Sequence, residues 1–167
     1  IWDTRPHRLA VSTDDSAESL STVAISPDGT WVASAGRDKT IRVMRAGADE
    51  PSQLLQRHRK TVRSVDFAHQ RDMLLSAGDD GRVVLWNHTT GEMLEEIDSR
   101  KRRIFRAVFS PDDRFLAYGD EDGKLVVWDT TAHEQAWQMD GHLGKVWGLA
   151  FSPDGKQLLS SGMDGTI

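Results

Sequence analysis

His58, Ser76, Asp80 and Trp86 fall within one stretch, HRKTVRSVDFAHQRDMLLSAGDDGRVVLW. A serine, a histidine and a carboxylate are the parts of a nucleophilic triad, in which the histidine takes the serine proton and the carboxylate orients the ring. That chemistry needs a serine oxygen free to attack and donors for the oxyanion. Ser76 instead sits in the apolar run Met73-Leu74-Leu75-Ser76-Ala77, with no nucleophile elbow around it. The competing reading is structural: polar groups buried together satisfy one another's hydrogen bonds. Of the six histidines, His7, His69, His88 and His133 fall in expected turns or loops without metal-ligand spacing. The chain has no cysteine, so disulfides and zinc–thiolate sites are excluded. No phosphate loop or dinucleotide fingerprint occurs, and neither a metal nor a cofactor is expected. Asp28, Asp112 and Asp154 read as turn residues that bond their own backbone.

The elements that must position these residues show in the apolar pattern. Three short runs occur: Val62, Val65 and Phe67; then Met73, Leu74 and Leu75; then Val83, Val84, Leu85 and Trp86. Polar breaks bearing Gly or Asp separate them, which predicts consecutive antiparallel strands joined by tight turns. The pattern returns after 42 residues: Asp80 is followed by Asp122 and Asp164, His58 by Arg100 and His142, and Trp86 by Trp128. In the other direction Trp86 maps onto Met44 and then Trp2. A period of this length predicts an all-β fold of four-stranded antiparallel blades, a β-propeller. Residues 1–3 would end a preceding repeat, and 16–57, 58–99 and 100–141 would form repeats one to three. Residues 142–167 would form an incomplete fourth. Within repeat two, Val62 and Val65 lie three apart and Val65 and Phe67 two apart. Strand alternation requires even steps, so an extra residue, a bulge, is expected there. Leu20/Val23/Ile25 and Val146/Leu149/Phe151 share the spacing, and Ile104/Val108/Phe109 approximates it. The residues such a bulge would turn toward one rim are Ser21, Arg63, Phe105 and Trp147.

Gly141-His142, the Ser-Pro-Asp-Gly turns at 26–29 and 152–155, and Val-Val-Trp-Asp at 126–129 resemble the WD-repeat family. The similarity covers nearly the whole chain. It implies that the indole of Trp86 donates to the Ser76 hydroxyl, that the hydroxyl meets His58, and that His58 meets Asp80, a structural tetrad. Repeat four carries His142, Ser160 and Asp164. Repeat three carries Asp122 and Trp128, with Arg100 and Tyr118 in place of His and Ser. Repeat one carries Ser34 and Asp38, with Ser16 and Met44 in the other two places, and Trp2 is the remnant of the preceding repeat. Only repeat two holds all four. The family's propellers mostly have more blades, so the resemblance implies a portion of a larger ring, completed by further blades or by a second copy. A Trp for repeat four is expected three positions beyond Ile167, and Ile1 opens inside a strand.

The net charge of −5 names no partner. No apolar run approaches a membrane span, so no membrane partner is expected, and a cytoplasmic location is. Charge becomes informative by position. Arg57, Arg59, Lys60 and Arg63 open repeat two, and Arg100, Lys101, Arg102, Arg103 and Arg106 open repeat three, nine of the 21 basic residues. Matching positions in adjacent blades lie side by side, so a basic stripe is expected, preceded by Asp14, Asp15 and Glu18 of repeat one. Phe105 and Trp147 share the bulge position in adjacent repeats, and exposed aromatics beside Arg anchor interfaces. By the resemblance, Arg37, Asp79, Glu121 and Met163 lie on the same rim, and their variety suits recognition of a partner. The expected function is a non-enzymatic scaffold that binds a protein or peptide, acidic ones included, through a blade rim, as the sensor or docking arm of a larger signalling protein. Nucleic acid or a phosphorylated ligand on the basic stripe is the alternative. A purely structural segment with a solvated rim is the third reading.

Overall fold

The computed structural model describes residues 19–47, 53–99 and 102–167 in full, and residues 2–3 and 8–9 by their backbone. All regular structure among them is β. Strands β1 (Trp2–Asp3) and β2 (Arg8–Leu9) pair antiparallel. Sheet one follows with β3 (Leu20–Ile25), β4 (Trp31–Gly36), β5 (Thr40–Arg45) and β6 (Gln53–Gln56). Sheet two has β7 (Val62–Phe67), β8 (Met73–Gly78), β9 (Arg82–Asn87) and β10 (Met93–Asp98). Sheet three has β11 (Ile104–Phe109), β12 (Phe115–Asp120), β13 (Lys124–Asp129) and β14 (Glu134–Asp140). In sheet four β15 (Val146–Phe151) pairs with β16 (Leu158–Gly162). In each four-stranded sheet, spatial order follows chain order, an antiparallel meander.

The core lies between sheets. Successive side chains of a strand face opposite ways, and the middle strands are apolar on both faces. Leu74, Val84 and Trp86 pack against Ala33, Ile41 and Val43 of sheet one. Leu75, Val83 and Leu85, the alternate residues, pack against Ile104, Phe109 and Leu116 of sheet three. Val108, Ala117 and Val127 then meet Val146 and Leu149 of sheet four. Each side chain of this size contributes about 1.5–3 kcal/mol when fully buried.

All four first strands carry a register shift, bracketing Ser21, Arg63, Phe105 and Trp147. In sheet three the core place corresponding to Val65 belongs to Ala107, not Val108. Ala107 is fully buried in the seam with sheet two, and Val108 faces sheet four. The spacing is therefore Ile104/Ala107/Phe109, hidden in the sequence because alanine is a weak marker of a core face.

Polar groups in the seams are paired across them. The fully buried Ser64 hydroxyl donates to the Ala107 carbonyl over 3.1 Å and accepts the Ala107 amide over 3.2 Å. The Asp66 carboxylate accepts the Phe109 amide at 2.9 Å. At the β11–β12 turn, Ser110 donates to Asp112 at 2.6 Å and accepts the Phe115 amide at 2.9 Å. The turns at Ser26 and Ser152 are built the same way. The β7–β8 turn lacks the motif. Its His69 and Gln70 amides instead donate to the Asp113 carboxylate of sheet three, at 2.7 and 2.6 Å. Asp113 is fully buried and holds φ at +57°, where the equivalent turns have Gly29 and Gly155. If Asp113 served only its own turn, Asp113→Gly would relieve the left-handed backbone and stabilise the protein. The cross-seam role predicts instead a loss of about 1–3 kcal/mol in chemical denaturation, from two amides that lose their hydrogen bonds to a charged acceptor.

His88 is wedged in the seam between sheets one and two. Its ring meets Trp31 edge-on at 5.3 Å and Phe67 at 5.2 Å, and its Nδ1 is buried without a partner. Burial lowers its pKa from the ordinary histidine value, against the opposing pull of the Asp72 and Asp28 carboxylates. Arg45, stacked on Trp31, adds a further cation nearby. The unfolded chain therefore takes up a proton that the folded chain resists. The resulting stability is complete above the unfolded pKa of about 6.5 and is lost as pH falls through it. Replacing His88 by the Thr found at the equivalent place in sheet three should flatten the pH dependence of the denaturation midpoint between about pH 7.5 and 5.5. An unaltered pH slope would contradict this assignment.

Candidate binding rim

Sheet two brings all four members of the His58 set together. The Trp86 indole N–H donates to Ser76 Oγ at 2.9 Å, and Ser76 Oγ lies 2.8 Å from His58 Nε2. His58 Nδ1 lies 3.0 Å from Asp80 Oδ1, and the Arg59 amide donates to Asp80 Oδ2 at 2.8 Å. With the indole occupying one lone pair, the serine hydroxyl donates to Nε2, which leaves the ring proton on Nδ1 facing the carboxylate. Burial raises the Asp80 pKa, but the bonds from His58 and from the Arg59 and Arg82 amides outweigh it and hold the carboxyl below its ordinary value. Ser76 is fully buried and Trp86 nearly so. A hydroxyl sealed in this way, with its bonds committed, has no access to a substrate.

The other sheets differ in ways the local chemistry explains. In sheet four His142 Nε2 lies 2.8 Å from Ser160 Oγ, and Nδ1 lies 3.1 Å from Asp164. The Leu143 and Thr166 amides hold the Asp164 carboxyl far below its ordinary pKa. In sheet three Asp122 points outward and pairs with Arg102, and the buried Trp128 indole nitrogen has no partner. Tyr118 fills the serine place, and burial pushes its phenol up to about 12. A third change accompanies these. Gly78 has space for no more than hydrogen, since a Cβ there would stand 2.5 Å from the Thr61 carbonyl and 3.3 Å from His58 Nδ1. Where Arg100 replaces the histidine, the equivalent residue is Asp120, buried, accepting the Asp122 and Lys124 amides at 3.0 and 2.9 Å. In sheet one Asp38 pairs with Arg42, and Ser34 is half-buried with no histidine beside it among the described residues. Ser16, Arg100, Lys101, the acidic group Asp14, Asp15 and Glu18, and the Trp2 side chain lie outside the described residues.

The bulge residues lie at the same end of the strands as these histidines, and Ser21, Arg63 and Phe105 each reach the next sheet. The Ser21 hydroxyl donates to the Val62 carbonyl. The Arg63 guanidinium sits 5.8 Å from the centre of the Phe105 ring. Phe105 meets Trp147 edge-on at 5.1 Å, and Lys145 Nζ lies 5.4 and 5.5 Å from the two rings. Trp147 stays 53% exposed and Met163 66%.

The basic stripe is largely neutralised from within. Arg63 grips Asp79 through two bonds of 2.9 and 2.7 Å, Arg57 pairs with Glu96, Arg102 with Asp122, and Arg103 with Glu121. The sequence could not show this, because each partner lies 16 to 39 residues away. Arg106 is half-buried, and its charge draws down the Asp66 carboxyl against the dominant upward effect of burial. The charged side-chain groups of Arg59, Lys60, Arg37 and Lys145 meet no carboxylate within 4 Å among the described residues, although the Arg59 backbone amide serves Asp80.

Comparison with known proteins places this geometry. The family model described as WD domain, G-beta repeat matches residues 7–44, 49–87, 94–129 and 133–167. Each unit takes in the outer strand of one sheet and inner strands of the next. A protein transport protein SEC31 from Pyricularia oryzae is 30% identical over 117 residues, covering 66% of this chain and 9% of that protein. The SEC31 of Saccharomyces cerevisiae is 33% identical over 125 residues, covering 67% of this chain and 10% of its own. The tRNA (guanine-N(7)-)-methyltransferase non-catalytic subunit wdr4 of Danio rerio is 34% identical over 98 residues, covering 58% of this chain and 24% of its own. The chain thus spans a small part of the length of these relatives.

The two aspartates of sheets two and three offer a direct test of this reading. Asp80 serves a buried chain of bonds, whereas Asp112 serves an exposed turn. Asp80→Ala should cost about 1–3 kcal/mol in denaturant unfolding. Asp112→Ala should stay within about 0.5–1 kcal/mol. Equal losses would remove the structural assignment.

Proposed function

Since the chain belongs to the WD domain, G-beta repeat family, we propose that it is a non-catalytic scaffold segment that binds a protein or peptide across the bulge rim of sheets two to four. The observation that carries this reading is the Phe105–Trp147 pair with Lys145 and Arg63 against it, beside the exposed Met163. Aromatic side chains flanked by cations are the residue types that dominate interface energetics. The exposed Arg59 and Lys60 and the half-buried Lys145 favour an acidic partner. The sealed Ser76 hydroxyl supports the absence of catalysis, and among the described residues no group of three or more His, Asp or Glu could hold a metal. The relatives' names fit: a protein transport protein, and a subunit called non-catalytic. A cytoplasmic location belongs to the same reading. Among the described residues no helix is long and apolar enough to cross a membrane.

The nucleic-acid alternative loses ground to the internal ion pairs of Arg57, Arg63, Arg102 and Arg103, since a paired guanidinium must leave its carboxylate to take a phosphate. Capture of partners from lysate by the immobilised protein, with the bound species identified, separates the readings. Trp147→Ala should reduce capture of a protein partner by about tenfold or more. Raising salt from about 50 to 200 mM should cost far less than the roughly 1,000-fold loss expected for a phosphate-bound complex. Capture of nucleic acid with that steep salt dependence, indifferent to Trp147→Ala, would overturn the proposal.

A further inference from the structure

The opposite end of the strands carries a second feature that the rim does not use. Between sheets one and two, the β3–β4 turn, the β7–β8 turn and the start of the β9–β10 turn enclose a cavity of about 220 Å³. That is smaller than the roughly 300–1,000 Å³ of sites for drug-sized ligands, and it suits one side chain. Pro27, Trp31 and Ala68 supply apolar wall, Asp28 and Asp72 supply carboxylates, and His88 lines it as well. Both carboxylates lack a basic partner: among the described residues, neither Asp28 nor Asp72 meets a lysine or arginine within 4 Å. Arg71 lines the same cavity and Arg45 stacks on Trp31, yet neither closes an ion pair.

Three observations point to a visitor rather than to a solvated crevice. First, the Asp28 carboxyl is fixed as an anion: the Ser26 hydroxyl and the Thr30 hydroxyl and amide hold its pKa at about 2. Second, His88 is 5% exposed, and its Nδ1 is buried without a partner, an expensive state for a polar atom. Third, the set belongs to this seam. The residues equivalent to Asp72 are Thr30, Arg114 and Lys156, and those equivalent to His88 are Ala46 and Thr130. Thr130 satisfies itself on the Asp113 carbonyl at 2.8 Å. His88 has no such bond and lies 4.0 Å from Asp72.

We propose that this seam accepts the cationic side chain of a partner, a lysine or arginine, with its aliphatic stem against Pro27, Trp31 and Ala68 and its charge between Asp28 and Asp72. Long basic side chains combine an apolar stem and a charged head in this way, and the seam presents matching surfaces in the same order. The chain then has two recognition surfaces of opposite character at the two ends of its strands. One is aromatic and basic, and the other presents the Asp28 and Asp72 carboxylates.

The test titrates the protein with acetyl-Gly-Gly-Lys-Gly-Gly-amide and with its uncharged norleucine counterpart, following the indole N–H resonance of Trp31. The lysine peptide should give a saturable shift at Trp31 and the norleucine peptide should not. Asp72→Asn, at a side chain 75% exposed, leaves the fold intact and should weaken lysine-peptide binding by about fivefold. Equal responses to the two peptides, no saturable shift, or unchanged binding by Asp72→Asn would each overturn the proposal.

Discussion

A blade of this protein is apolar on both faces, and that constraint organises everything else. Leu74 and Leu75 are neighbours in one strand, point opposite ways, and are both fully buried, one against sheet one and the other against sheet three. No sheet can bury both faces alone, so stability resides in the seams, and any polar atom caught there must find a partner. The Trp86–Ser76–His58–Asp80 chain, the Ser64 bridge to Ala107 and the Asp113 clasp on the β7–β8 turn are three solutions of that problem. The orphaned Trp128 and His88 nitrogens are its two visible failures among the indole and imidazole groups of the seams. The first follows from losing the serine, and the second adjoins the proposed cation site.

The seams also explain why one residue near the start of each first strand stands outside the core. Bulges at the start of β3, β7, β11 and β15 swing one residue out of the alternation, and the first three lie against the next sheet. Since that residue no longer serves the core, its type varies from the small Ser21 through the charged Arg63 to the aromatic Phe105 and Trp147. Variation at a structurally fixed place is how one scaffold is fitted to a particular partner.

Period, strand order and the four-residue network of sheet two were legible because they rest on local spacing: 42 residues between copies, even and odd steps within strands. The bulge was legible for the same reason, except in sheet three, where Ala107 gave too weak an apolar signal. What escaped were relations between repeats. The basic clusters read as an open stripe, but the fold delivers Glu96, Asp79, Asp122 and Glu121 to their arginines. Asp113 stands where the matching turns have Gly29 and Gly155, and nothing in that spacing shows that its carboxylate serves another sheet. The replacement of glycine by Asp120 makes sense only once Gly78 is seen against His58. Pairings across sheets depend on tertiary distance, which sequence spacing does not encode.

The central claim, that the histidine, serine and aspartate of sheet two exist to satisfy buried polar groups and not to do chemistry, is tested most directly by hydrogen exchange at the tryptophan indoles. The Trp86 N–H is buried and bonded to Ser76 at 2.9 Å, while Trp147 is 53% exposed. The account predicts that the Trp86 indole proton exchanges only when the seam opens, orders of magnitude more slowly than that of Trp147, and that Ser76→Ala abolishes the difference. Exchange at Trp86 as fast as at Trp147 in the unaltered protein would show that the network is open to solvent and would contradict the account.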